Sequence, residues 1–155
     1  MHNDKAQKFI LAEIVKSPRF AKKTVLDDGR IFVTPNSEVG FIFNRQELML
    51  DLSGVEELGN RYWYEEIADF ACNLIKRTKT IIDADGSSSG YLTVFRKAGK
   101  PIYVKTKYLK YFGACAEFYQ KSEYGPVVVK ENDEIKGMIM PSRYEAEELY
   151  EIEST

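Results

Sequence analysis

A chain of 155 residues, 44% apolar and 30% charged, is long enough to build one domain around a real core and too apolar to stay disordered. Its net charge of −2 gives no global attraction to nucleic acid or membrane, so any such attraction must be local. The one histidine is His2, which leaves histidine-based acid–base or triad chemistry without a suitable residue. No window approaches the roughly 18 consecutive apolar residues of a membrane span, so a soluble, cytoplasmic protein is expected.

In chain order, Phe9, Ile10, Ile14 and Val15 fall close to helical spacing between Asp4 and the Ser17-Pro18 stop, which predicts a helix over 4–16. Asp27-Asp28-Gly29-Arg30 is a turn between two apolar runs and predicts a hairpin, and Phe41 and Phe43 continue the sheet. Residues 45–53 are compatible with a further strand or a helical turn, and 54–60 read as a loop. From Tyr64 to Thr78, Ile67, Phe70, Ala71, Leu74 and Ile75 follow the helical apolar rule and predict an amphipathic helix. Residues 80–104 read as a three-stranded meander with turns at Asp83–Gly90 and Lys97–Pro101. A second helix is expected from Tyr108 to Gln120, burying Leu109, Phe112, Cys115, Ala116 and Tyr119. Gly125-Pro126 breaks the chain, Val127–Asn132 and Ile135–Met140 are closing strands, and 145–155 is an acidic tail. The whole is a single α+β domain: a mainly antiparallel sheet covered by two amphipathic helices, with an extra helix at the N-terminus.

No stretch has the residue types and spacing of a catalytic or metal site, and no cofactor is expected. Asp83–Gly90 resembles a calcium or phosphate loop only superficially. It lacks the further acidic ligands of an EF-hand and the Gly-Lys-Ser/Thr ending of a P-loop, and reads as a hairpin turn. Glu65 and Glu66 are adjacent but point about 100° apart on a helix, so they read as first-turn acids rather than a catalytic pair. Cys72 and Cys115, set among apolar neighbours on predicted helices, are expected as buried thiols. Tyr103, Tyr108, Tyr111 and Tyr119 are expected to pack at the core edge.

The charge is unevenly spread. From Lys76 to Lys110 nine cations stand against two carboxylates, a net +7, whereas from Lys130 onward three stand against eight, a net −5. Lys107 and Lys110 open the second predicted helix, where a positive charge opposes the helix dipole at about 0.3–1 kcal/mol each. The basic middle is therefore a candidate phosphate-contacting surface.

The segments Ile102–Phe112 and Pro126–Tyr144 carry Lys107-Tyr108-Leu109, Pro126-Val127-Val128, Asn132-Asp133-Glu134 and Met140-Pro141-Ser142-Arg143. In this arrangement residues 101–144 resemble the C-terminal part of a bacterial DNA polymerase sliding clamp. The resemblance implies a clamp-like β-α-β-β unit, a helix facing duplex DNA, and a pocket for partner peptides beside the Met-Pro-x-Arg end. The reading that follows is a non-enzymatic binding module in DNA transactions, a clamp-like accessory protein of the kind phages and mobile elements carry. Its expected nucleic-acid surface is Arg96, Lys97, Lys100, Lys105, Lys107 and Lys110, and its expected partner strip is Met138, Met140, Pro141 and Arg143. The expected partners are double-stranded DNA, a protein or peptide, and a second copy of the chain, with no membrane. The alternative is a protein-interaction or inhibitor module that touches no nucleic acid; an enzyme with carboxylates drawn from distant segments is a third.

Overall fold

The computed structural model describes residues 1–58, 71–84 and 90–144. Within them run α1 (Asn3–Lys16), a 3-10 turn (Pro18–Phe20), β1 (Lys22–Val25), β2 (Ile31–Thr34), β3 (Val39–Phe43) and β4 (Glu56–Glu57). There follow β5 (Leu74–Asp83), β6 (Tyr91–Lys97), β7 (Lys100–Lys105), the one-turn helix α2 (Thr106–Leu109), β8 (Glu117–Tyr119), β9 (Val127–Glu131) and β10 (Glu134–Ile139). The fold is α+β. Its ten strands form one sheet in the order β4-β1-β2-β3-β10-β9-β8-β5-β6-β7. Every pairing is antiparallel except the short β1–β4 pair at one edge.

The sheet curls until its β7 edge meets the chain that leaves β10. Ser142, just past β10, bridges Tyr103 of β7, with the Ser142 N–H donating to the Tyr103 carbonyl at 2.8 Å. Strict alternation along the strands sorts side chains onto two faces. Val39, Phe41, Phe43, Phe95, Ile102, Val104, Phe118, Val127, Val129 and Ile139 point inward, where Ala6 and Ile10 of α1 and the Tyr108–Phe112 segment cap them. Phe32, Ile42, Val128 and Met138 pack on the outer face of one half, and Leu92, Val94 and Tyr103 on that of the other. Both faces being covered explains why Val39–Phe43 and Val127–Val129 are unbroken apolar runs rather than alternating ones.

Several elements lie where the sequence places them. The N-terminal helix carries Asp4 in its first turn and Lys16 in its last, matching the dipole, and ends at Ser17-Pro18. The β1–β2 hairpin turns through Gly29 at φ 89°. The meander β5–β6–β7 and the closing hairpin β9–β10 form as expected. Two of the tight turns place both central residues at positive φ, Ala98 (50°) with Gly99 (82°) and Asn132 (52°) with Asp133 (63°), as the right-handed twist of two-residue hairpins demands.

Two predicted helices require correction. The helix expected over 64–78 ends in strand: Leu74–Thr78 belong to β5, and its earlier part, with Glu65 and Glu66, lies outside the described residues. In the run Thr78-Lys79-Thr80-Ile81-Ile82 every residue but Lys79 is β-branched, and pairing with β6 overrides the helical period upstream. The helix expected over Tyr108 to Gln120 is a single turn ending at Leu109, followed by turns and β8. There the Gly113 N–H donates to the Glu131 carboxylate at 2.7 Å, and Phe118 and Tyr119 pair with Val129 and Val128 of β9. In place of a β-α-β-β unit, residues 100–139 thus run strand, one helical turn and three strands, and the α-helices among the described residues are α1 and this one turn.

The cysteines differ from expectation as well. Cys72 and Cys115 lie in turns with exposed side chains rather than buried among apolar neighbours, and neither is in a disulfide. The tyrosines do pack: Tyr103, Tyr108 and Tyr111 are buried and Tyr119 is half-buried. The acidic tail and most of the Asp83–Gly90 turn lie outside the described residues. Within them, no helix is long and apolar enough to cross a membrane.

Candidate functional site

The six lysines and arginines expected to form one basic surface occupy two ends of the β6–β7 hairpin. Arg96, Lys97 and Lys100 surround its tight turn, while Lys105, Lys107 and Lys110 lie at the far end of β7, about 17 Å away at 3.3 Å per residue. The far group is poorly placed to act as one cationic surface. Lys105 is paired with Glu38, 67 residues away in sequence, and its side chain is 12% exposed. Lys107 and Lys110 are exposed and lie over the rings of Tyr108 and Tyr111 at 5.1 and 5.3 Å. With α2 a single turn, the argument that these lysines oppose a helix dipole no longer applies.

Glu38 organises that end. It accepts from both Lys105 Nζ and the Tyr108 hydroxyl, and Asn36 Nδ2 donates to the same hydroxyl at 3.1 Å. Burial alone raises the Glu38 carboxyl, but the bonds from Lys105 and Tyr108 and the lysine charge outweigh it, so the group sits below its ordinary 4.5. Burial, followed by the bond to Glu38, pushes the Tyr108 phenol up. A carboxyl lowered on folding contributes stability above its unfolded pKa and loses it as pH falls through the folded value. Urea titrations are therefore expected to show Glu38→Gln less stable than wild type at neutral pH, with the gap closing as pH drops below 4.5.

The near group contributes to a groove of about 530 Å³ between the starts of β5 and β8, the β6–β7 turn and residues 113–116. Lys76, Arg77, Arg96 and Lys97 line it against one carboxylate, Glu117. Its positions follow from pairing: Lys76 lies opposite Arg96 and Arg77 opposite Phe95 on neighbouring strands. No described residue forms an ion pair with any of the four cations. Lys97 Nζ is spent locally on the carbonyls of Gln120 (2.9 Å) and Lys121 (3.2 Å), and Arg96 Nη1 on that of Gly99 (3.3 Å). Lys76 and Arg77 stand exposed at the groove's rim, and Lys76 lies directly opposite Arg96, a like-charge cross-strand pair that is unfavourable without an anion nearby. Both were counted in the basic middle of the chain, yet the predicted helix over 64–78 kept them out of the expected site. The β-branched run that follows them is the signal that places them on a strand.

The expected partner strip is also divided. Met138 is 1% exposed, a core residue of the outer-face cluster, and Met140 is half-buried against the same cluster. A partner therefore cannot reach Met138 without unfolding it. Pro141 and Arg143 instead line a cleft of about 280 Å³ with Lys100, Tyr103, Tyr124 and Tyr144. The Arg143 guanidinium lies 4.9 Å over the Tyr124 ring, and Tyr103 and Tyr144 meet edge to face at 5.2 Å. Among the described residues, no group of three or more His, Cys, Asp or Glu side chains is arranged to hold a metal ion.

No protein-family model, no curated protein and no solved structure matches this chain.

Proposed function

We propose that this protein is a non-enzymatic module that holds duplex DNA by its phosphates during DNA transactions. The observation that supports the reading is the groove in which Lys76, Arg77, Arg96 and Lys97 face a single carboxylate and are balanced by no described counter-ion. A strip of unpaired cations over a net-acidic chain is an electrostatic footprint for a polyanion, and it reads charge rather than base sequence. A second reading, a protein-partner module, is favoured by the aromatic cleft that brings Pro141 and Arg143 beside Tyr124.

Fluorescence anisotropy with a labelled duplex tests the first reading. Wild type is expected to bind at about 50 mM salt and to weaken steeply with added salt. Lys76→Gln with Arg77→Gln is expected to flatten the log–log salt slope by about 2, one phosphate for each cation removed. Lys105→Gln should leave the slope unchanged, since that charge is already paired. Absence of any binding at low salt would falsify the DNA reading and leave the partner module.

A further inference from the structure

The cleft that holds Pro141 and Arg143 contains a feature that neither DNA binding nor fold stability uses. Tyr103, 6% exposed, has its hydroxyl buried with no hydrogen-bond partner; Nη2 of Arg96, whose side chain lines the neighbouring groove, is likewise buried and unpartnered. On the β6–β7 ladder Tyr103 lies opposite Val94 and Pro101 opposite Arg96, so Tyr103 and Arg96 are diagonal neighbours on one face, within reach of long side chains. Both groups are donors, and a buried donor without an acceptor is a cost that folded proteins rarely carry unrelieved. The comparison within the molecule is direct. Tyr108, equally buried, has its hydroxyl satisfied by Glu38 and Asn36. Glu123 lines the cleft but accepts from neither orphan.

We propose that the cleft between β7 and residues 141–144 is an oxyanion site, in which a carboxylate or phosphate group accepts from the Tyr103 hydroxyl while Lys100 and Arg143 supply charge at the mouth. Two cations, one buried unpartnered donor and one opposing carboxylate make a site for a small anion rather than for a neutral group. The volume of about 280 Å³ is at the lower end of ligand pockets, which suits a single acidic side chain, a chain-end carboxylate or a phosphate group. Burial, then the neighbouring Tyr144, raise the Tyr103 phenol while the Arg96 charge opposes them. The hydroxyl therefore keeps its proton and serves as a donor.

Thermal melting of the full chain in sodium acetate, sodium phosphate and sodium chloride at matched ionic strength tests the site. Wild type is expected to melt higher in acetate or in phosphate than in chloride. A rise in acetate alone assigns a carboxylate ligand, and a rise in phosphate alone a phosphate. Tyr103→Phe keeps the ring against Tyr144 and is expected to melt no lower than wild type in chloride, yet to need about tenfold more anion for the same rise. Arg143→Gln, an exposed change, is expected to weaken the anion response without altering the melt in chloride. Lys76→Gln with Arg77→Gln is expected to leave the anion response intact, so loss of DNA binding and loss of this site are read separately. The proposal is overturned if neither anion raises the wild-type melt, if Tyr103→Phe responds as wild type does, or if Tyr103→Phe melts lower in chloride.

Discussion

Gly137→Ala is expected to be among the most damaging single-methyl changes in the chain, costing about 3 kcal/mol in urea unfolding. A Cβ at that position would run into the carbonyl oxygen of Gly40 and lie 2.9 Å from Cζ of Phe112. The ring could tilt away, but the carbonyl cannot. It belongs to β3, held beside β10 by the pairs Gly137–Phe41 and Met138–Gly40. Relief therefore requires the two strands to separate, which disrupts the ladder on which both apolar faces depend. Gly54→Ala is the matching control: nothing lies within 4 Å of a Cβ there, and its effect should stay within about 0.5 kcal/mol. Equal effects at the two glycines would mean that β3 and β10 do not approach as described.

Phe41→Ala is expected to cost about 3–5 kcal/mol, the range for a fully buried aromatic truncated to a methyl. Phe41 is 0% exposed and its ring centroid lies 5.7 Å from those of Tyr111 and Phe112, 6.2 Å from Phe43 and 6.3 Å from Phe9. Because Phe9 is on α1, the cavity would also loosen the helix from the sheet. Near-ultraviolet circular dichroism should therefore lose intensity along with stability, and Phe41→Leu should recover part of both. Should Phe41→Ala cost under about 1 kcal/mol, the α1-capped aromatic core is wrong.

The parts of this fold that were legible in the sequence are those fixed by local chemistry. Asp27-Asp28-Gly29-Arg30, Ala98-Gly99 and Asn132-Asp133 are turn residues between apolar runs, and all three hairpins form. Ser17-Pro18 ends α1 as proline chemistry requires. The misread helices rested on apolar spacing, which Leu74-Ile75 and Phe112–Tyr119 satisfy whether they coil or pair. The deciding partner of Leu74-Ile75 was β8, more than 40 residues along the chain, and that of Phe118-Tyr119 was β9 as well as β5. The site was harder still. Lys105 looks like any other lysine until Glu38 arrives beside it, and Lys76 and Arg77 join Arg96 and Lys97 only once β5 and β6 pair. Met138 is indistinguishable in sequence from a surface methionine, and only the second covered face of the sheet makes it core.

The seam closed by Ser142 is thin. Between β7 and the chain leaving β10 there is one backbone hydrogen bond, Ser142 to Tyr103, supplemented at the far end by Glu38 with Lys105 and Tyr108. The β6–β7 ladder, by contrast, has six pairs and β9–β10 five. Local breathing should concentrate where few bonds must break, so the Ser142 amide is placed to exchange with solvent hydrogen well before those of β9 and β10. Each such opening parts the two walls of the cleft at Tyr103, which gives a buried hydroxyl an access route that does not require the domain to unfold.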